Sequence, residues 1–139
     1  MFIRNLKFKV KFSSYSKNHF CKSFLRKYKK KAWNETIKTI HDTFEKIFGI
    51  QKAKLIDIIN FNQEEEAGIF KLDFSVAGTQ TSRKSSGNRL IFFLSNKEEK
   101  IEVLLVYGKG NCPKGQHETQ WILEEIKSNF PEYKKIIGK

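Results

Sequence analysis

Acidic residues are nearly missing from the first quarter of this chain. Residues 1–38 hold 12 Lys or Arg and one acid, Glu35, so this segment carries +11 of the formal net charge of +12. Long hydrophobic runs are also missing. No stretch approaches the roughly 18 apolar residues of a spanning helix, so a helical membrane protein is excluded and no membrane partner is expected. Cysteine is scarce: Cys21 and Cys112 make no disulfide framework and read as free thiols of a reducing compartment. The first ten residues alternate apolar and polar groups where a secretory signal needs a continuous apolar core, which leaves the cytoplasm as the expected location.

What is present excludes disorder. The chain is 39% hydrophobic and 14% aromatic, too apolar for a solvated polyelectrolyte. At 139 residues it is long enough to bury roughly two-thirds of its unfolded surface. No linker, repeat or second-domain signal occurs, so residues 1–139 read as a single domain. The basic segment is a candidate footprint for a polyanion, either nucleic acid or an acidic protein. The plain alternative is a lysine-rich face kept for solubility.

Along the chain, Leu6, Phe8, Val10 and Phe12 alternate with Lys7, Lys9 and Lys11. This period of two predicts a strand with one buried face and one row of ammonium groups, which either bind phosphates or protect a sheet edge. Ser13 to Ser16 offer N-cap hydroxyls before an amphipathic pattern with Phe20, Phe24, Leu25 and Tyr28, whose other face includes Arg26 and Lys30. A second helical pattern follows on Trp33, Ile37, Ile40, Phe44, Ile47 and Phe48 and stops at Gly49. Residues 55–61 are ambiguous between strand and buried turn, and 64–68 form an acidic surface loop.

Phe70, Leu72, Phe74 and Val76 mark another strand. RLIFFL and IEVLLVYGK then form a hairpin closed by about five residues. A last helix is expected over Glu118–Asn129 with Trp121, Ile122 and Ile126 inward, ending at Phe130 and Pro131. The order predicts an α+β fold: a small antiparallel sheet with an N-terminal strand, a helical hairpin packed on one face, and a C-terminal helix. IEVLLVYGK reads almost wholly apolar, as a central strand covered on both faces, while the other face of the sheet as a whole is expected to be a shallow functional surface.

The segment SRKSSGNRLIFFLSNKEEKIEVLLVYGKGN, residues 82–111, resembles the central hairpin of the RelE/ParE toxin superfamily. In that family a basic strand turns through glycine into an Arg-led apolar strand, and the next strand ends in a Gly-basic pair. The resemblance implies a metal-independent, cofactor-free endonuclease of ribosome-bound mRNA, neutralised by an acidic antitoxin. Its chemistry has the RNA 2′-OH attack the neighbouring phosphate while cationic groups stabilise the pentacoordinate charge. Arg89 falls on the arginine that contacts the scissile phosphate, and Lys109 on the basic position closing the next strand. Arg83 and Lys84 lie in the run that grips backbone phosphates, with Lys7, Lys9, Lys11, Arg26 and Lys30 as further RNA-binding candidates.

Three departures matter. Gly110 stands where nuclease members often carry a second arginine, the stretch NCPKGQHETQ lacks their tyrosine, and Gln80 and Ser82 replace basic residues. His117 and Tyr107 are the candidate proton-transfer substitutes, histidine being the residue type that exchanges protons near neutrality. A non-catalytic member of the same fold, such as a gyrase inhibitor of the ParE type or a basic RNA-binding module, is the alternative. Each residue also has a structural reading: Arg89 paired with Asp73 across the sheet, Lys109 and Lys114 as loop lysines, His117 as a helix cap. Cys112 with His117 is too small a set for a metal site, and no phosphate loop or nucleophile elbow occurs.

Overall fold

A computed structural model describes residues 9–17, 24, 26, 28, 30–45, 56–79, 82, 86–108 and 111–137. Its elements are β1 (Lys9–Phe12), α1 (Ser14–Ser16), α2 (Lys30–Glu45), β2 (Ile56–Asn62), β3 (Ala67–Phe74), β4 (Asn88–Ser95), β5 (Lys100–Tyr107) and α3 (Glu118–Asn129). A 3-10 turn, Pro131–Tyr133, then leads into α4 (Lys134–Ile137). The fold is α+β. Five strands form one sheet in the order β1-β5-β4-β3-β2.

Strands β2 to β5 make an antiparallel meander, whereas β1 runs parallel to β5, with Lys9 opposite Lys100 and Phe12 opposite Val103. A parallel pair cannot be closed by a hairpin and needs a crossover. The helical segment between β1 and β2 fills that need, so one end of an otherwise antiparallel sheet is parallel. The ambiguous segment resolves as β2, an edge strand with a bulge between Ile58 and Asn60.

Helix α2 forms because Trp33, Thr36, Ile40 and Phe44 recur on one face, and all four are buried. Phe44 meets Phe92 at 4.7 Å between ring centroids, and Phe24 stacks on Trp33 at 4.7 Å. The Thr36 hydroxyl donates to the Ala32 carbonyl and accepts from Ala77 N at 2.8 Å, which ties α2 to the segment after β3. Ser13 acts as a cap, its hydroxyl accepting from Ser16 N at 3.1 Å, but of the three-residue α1 and not directly of the longer helix expected after Ser16. Ile47, Phe48 and Gly49 lie outside the described residues, as do Leu6, Phe8 and most of the first expected helix.

The expectation of a shallow second face is overturned, and the reading of β5 as a central strand covered on both faces is borne out. Neighbouring residues of a strand point to opposite faces; Phe92 packs under Phe44 of α2, while Phe93 stacks on Tyr133 at 4.3 Å. Tyr107, on the Phe93 side, meets Trp121 of α3 edge-on at 4.9 Å. The C-terminal segment therefore covers the face opposite α2. Strands β3, β4 and β5 are apolar on both alternations, with Ile69 and Phe70, Ile91 and Phe92, and Leu104 and Leu105 all buried, so a single helical layer leaves half of that surface in water. Among the described residues, no helix is long and apolar enough to cross a membrane.

Candidate functional site

Polar side chains interrupt the covered face in one row. Asp73 of β3 stands opposite Arg89 of β4, and Arg89 opposite Tyr107 of β5. Lys71, two residues before Asp73, shares its face. Glu118, the first residue of α3, lies over the row and links it: one carboxylate oxygen is 3.2 Å from Lys71 Nζ, and the other accepts from the Tyr107 hydroxyl at 2.7 Å.

The Arg89–Asp73 contact has an unusual character. Arg89 Nε sits 2.9 Å from Asp73 Oδ1, an ion-pair distance, yet neither of these buried atoms makes a hydrogen bond, because the N–H is not aimed at the oxygen. Arg89 also donates through Nη1 to the Asn88 carbonyl at 3.2 Å. The attraction is Coulombic, and a directional donor and acceptor are left unspent.

Electrostatics separate the two carboxyl groups. Burial raises Asp73 above its ordinary range, with Arg89 and then Lys71 opposing the rise. For Glu118, burial also acts upward, but the hydrogen bonds from Tyr107 and Lys71 and the charges of Lys71 and Arg89 outweigh it and hold the group low. Burial, then the bond to Glu118, pushes the Tyr107 hydroxyl far up, so its proton stays on it at any physiological pH. Tyr107 is accordingly a holder of Glu118 and a poor proton donor or acceptor.

His117 occupies the N-cap position of α3 beside Glu118. It is exposed and holds the cap position with extended backbone, as the capping alternative has it, but its side chain makes no capping hydrogen bond. The loop before it is closed by Asn111, whose Oδ1 accepts from Gly108 N at 2.8 Å. Lys109, Arg83, Lys84 and Lys7 lie outside the described residues. Lys9 and Lys11 are exposed on the edge strand β1, with Lys11 in register with Glu102. Arg26 and Lys30 are exposed in the helical layer on the α2 side. The structure thus brings Arg89 and Tyr107 into one row, with His117 at the helix start beside it, and among the described residues places Lys9, Lys11, Arg26 and Lys30 on other elements.

A groove of about 410 Å³ runs between β1 and α2, floored by Val10, Phe12, Trp33 and Ile37 and flanked by Lys11 and Lys17. No group of three or more His, Cys, Asp or Glu side chains that could hold a metal ion occurs among the described residues. Sequence reasoning missed Lys71 and Glu118 as site residues and met Asp73 only as a partner for Arg89. Lys71 and Asp73 were legible as the polar phase of the β3 alternation; nothing local marks Glu118. No protein-family model matches the chain, and no curated protein matches it.

Proposed function

We propose that the protein is a toxin-like endoribonuclease of the RelE/ParE type, acting on ribosome-bound mRNA and neutralised by an acidic antitoxin. The observation that carries this reading is the unspent Arg89–Asp73 pair within a row of two cations and two carboxylates. A scissile phosphate entering beside Arg89 supplies the acceptor that its Nε–H lacks. Asp73, relieved of its ion contact, accepts the proton of the 2′-OH, and its raised pKa makes it the stronger base of the two carboxylates. The 2′ oxygen then bonds to phosphorus and the bond to the 5′ oxygen breaks. Arg89 and Lys71 stabilise the equatorial charge as it develops, and His117 is the candidate donor to the leaving oxygen. Tyr107 positions Glu118, which in turn positions Lys71.

The same row supports a second reading. Lys71 and Arg89 each face a carboxylate, so the cluster is charge-balanced without any ligand. That favours a non-catalytic member of the fold, either a gyrase inhibitor or an RNA-binding module. Induced expression with mapping of mRNA ends separates the two. The nuclease leaves 2′,3′-cyclic phosphate ends and arrests growth, and Arg89→Ala relieves the arrest at equal protein level. Intact mRNA with stalled supercoiling assigns the protein to the gyrase branch.

A further inference from the structure

Two apolar side chains of β2 stand in water. Ile58 and Phe61 are 53% and 39% exposed, the exposed large hydrophobic residues among those described. In a regular strand, residues three apart point to opposite faces. The bulge between Ile58 and Asn60 shifts that phase, so Ile58 falls in register with Phe70 and Phe61 with Gly68, two residues on one face of β3. Phe70 stacks on Phe92, which packs under Phe44 of α2, so both side chains emerge on the α2 side. Gly68 makes room for the Phe61 ring, since a Cβ there would lie 2.9 Å from Phe61 Cδ1.

The groove between β1 and α2 lies on the same side of the sheet, at the β1 end, where Phe12 meets His41 of α2 at 5.6 Å. Strand registers connect the two places. Phe12 pairs with Val103, Val103 with Phe92, Phe92 with Phe70 and Phe70 with Ile58, so one cross-strand row runs from the groove floor to Ile58. A second row runs from Val10 through Ile101, Leu94 and Gly68 to Phe61. Each row spans four strand spacings, roughly 19 Å at about 4.8 Å apiece, so its two ends cannot meet within one chain. A second copy shifted sideways by the width of the sheet brings its Ile58 to Phe12 and its Phe61 to Val10. Charge agrees with this placement. Residues 57–66 carry Asp57, Glu64, Glu65 and Glu66 and no cation, and all four acids are exposed. Asn62, just before the glutamates, shares a row with Lys9, so the shifted copy sets its acidic turn at the Lys9 end of β1, while Lys11 and Lys17 flank the groove. A net charge of +12 repels two copies in general, and this local opposition of sign offsets it.

We infer that a second copy of this chain docks its Ile58 and Phe61 into the groove between β1 and α2 of the first, with its acidic turn against the lysines. The contact joins unlike surfaces, so it is heterologous, and every assembly keeps one knob and one groove at its ends. It uses no residue of the Arg89 row and stands independently of the RNA reading.

Sedimentation velocity of the full chain at increasing concentration should show dimers and then longer species. Ile58→Ser combined with Phe61→Ser, both at exposed positions, should weaken association by about tenfold or more, the scale of an anchor lost from an interface centre. Val10→Arg should do the same by filling the groove. Lys11→Glu combined with Lys17→Glu reverses its rim at two exposed positions, which keeps a folded groove variant in hand; thermal melts verify the fold of each. An equal mixture of the knob variant and a groove variant should restore dimers and nothing longer, because one intact groove then meets one intact knob. A wild type that stays monomeric at every concentration overturns the contact. Association that the folded variants leave unchanged overturns it as well, and so does a mixture that restores no dimer.

Discussion

At the scale of single residues, the row on the covered face sets two measurable quantities. Removing one partner of a buried ion pair strands the other, at about 3–5 kcal/mol when burial is complete. The Arg89 and Asp73 side chains retain 20% and 11% exposure, so the cost is discounted. Asp73→Ala should lose about 1–3 kcal/mol in urea unfolding at neutral pH. The double variant with Arg89→Ala should lose less than the sum of the single variants, because the second change removes the stranded charge.

The carboxylates also give opposite pH signatures. Glu118, held below its ordinary 4.5, contributes stability that is full above that value and is lost as pH falls through the lower folded value. Asp73, held above 3.8 chiefly by burial, contributes most below that value and loses its share as pH rises through the folded one. The stability difference between wild type and Glu118→Gln should therefore be larger at pH 7 than at pH 3. Equal differences at the two pH values remove Glu118 from the network.

At the scale of elements, two places show how turns and edges are held. Gly68 lies in β3 against the bulged β2, where an added Cβ sits 2.5 Å from the Asn60 carbonyl oxygen and 2.9 Å from Phe61 Cδ1. Backbone cannot yield as a flexible side chain can. Gly68→Ala should cost about 1–3 kcal/mol and lower the melting temperature, with amide exchange speeding up in β2 before β4. The β4–β5 hairpin turn ends on Glu99, which has a φ of 51°, the left-handed region that costs an L side chain about 1–2 kcal/mol. Glu99→Gly relieves that strain, partly offset by its own backbone entropy, for a net gain of up to about 1 kcal/mol and a melting point a few degrees higher.

At the scale of the whole molecule, the exposed lysines of α2 and the charge-balanced row lie on opposite sides of the sheet. Lys30, Lys31 and Lys38 are exposed on α2, away from the balanced row of Lys71, Asp73, Arg89 and Glu118. If the proposed RNA reading holds, replacing those three lysines with Gln should weaken RNA binding uniformly across sequences and reduce the salt slope of log affinity by about 2, at roughly 0.7 per phosphate contact on a single strand; unchanged binding and slope would take α2 out of the RNA interface. A selective loss at one sequence would instead place base contacts on α2. Much of this molecule was readable in advance. The alternation at Val10 and Phe12 and at Phe70, Leu72 and Phe74, the Ser13 cap, the α2 stripe of Trp33, Ile40 and Phe44, and the concentration of cations before residue 39 are local or compositional signals, complete within a few turns of chain. Tertiary structure alone decided that β1 runs parallel to β5, that the C-terminal helix closes the second face, and that Glu118 reaches Lys71 across 47 positions and Tyr107 across 11. Local patterns state which side of an element avoids water, and they already offered Asp73 as the cross-sheet partner of Arg89 that the structure shows; which strands become neighbours depends on burying every such side at once, and the bonds of Glu118 to Lys71 and Tyr107 follow from that.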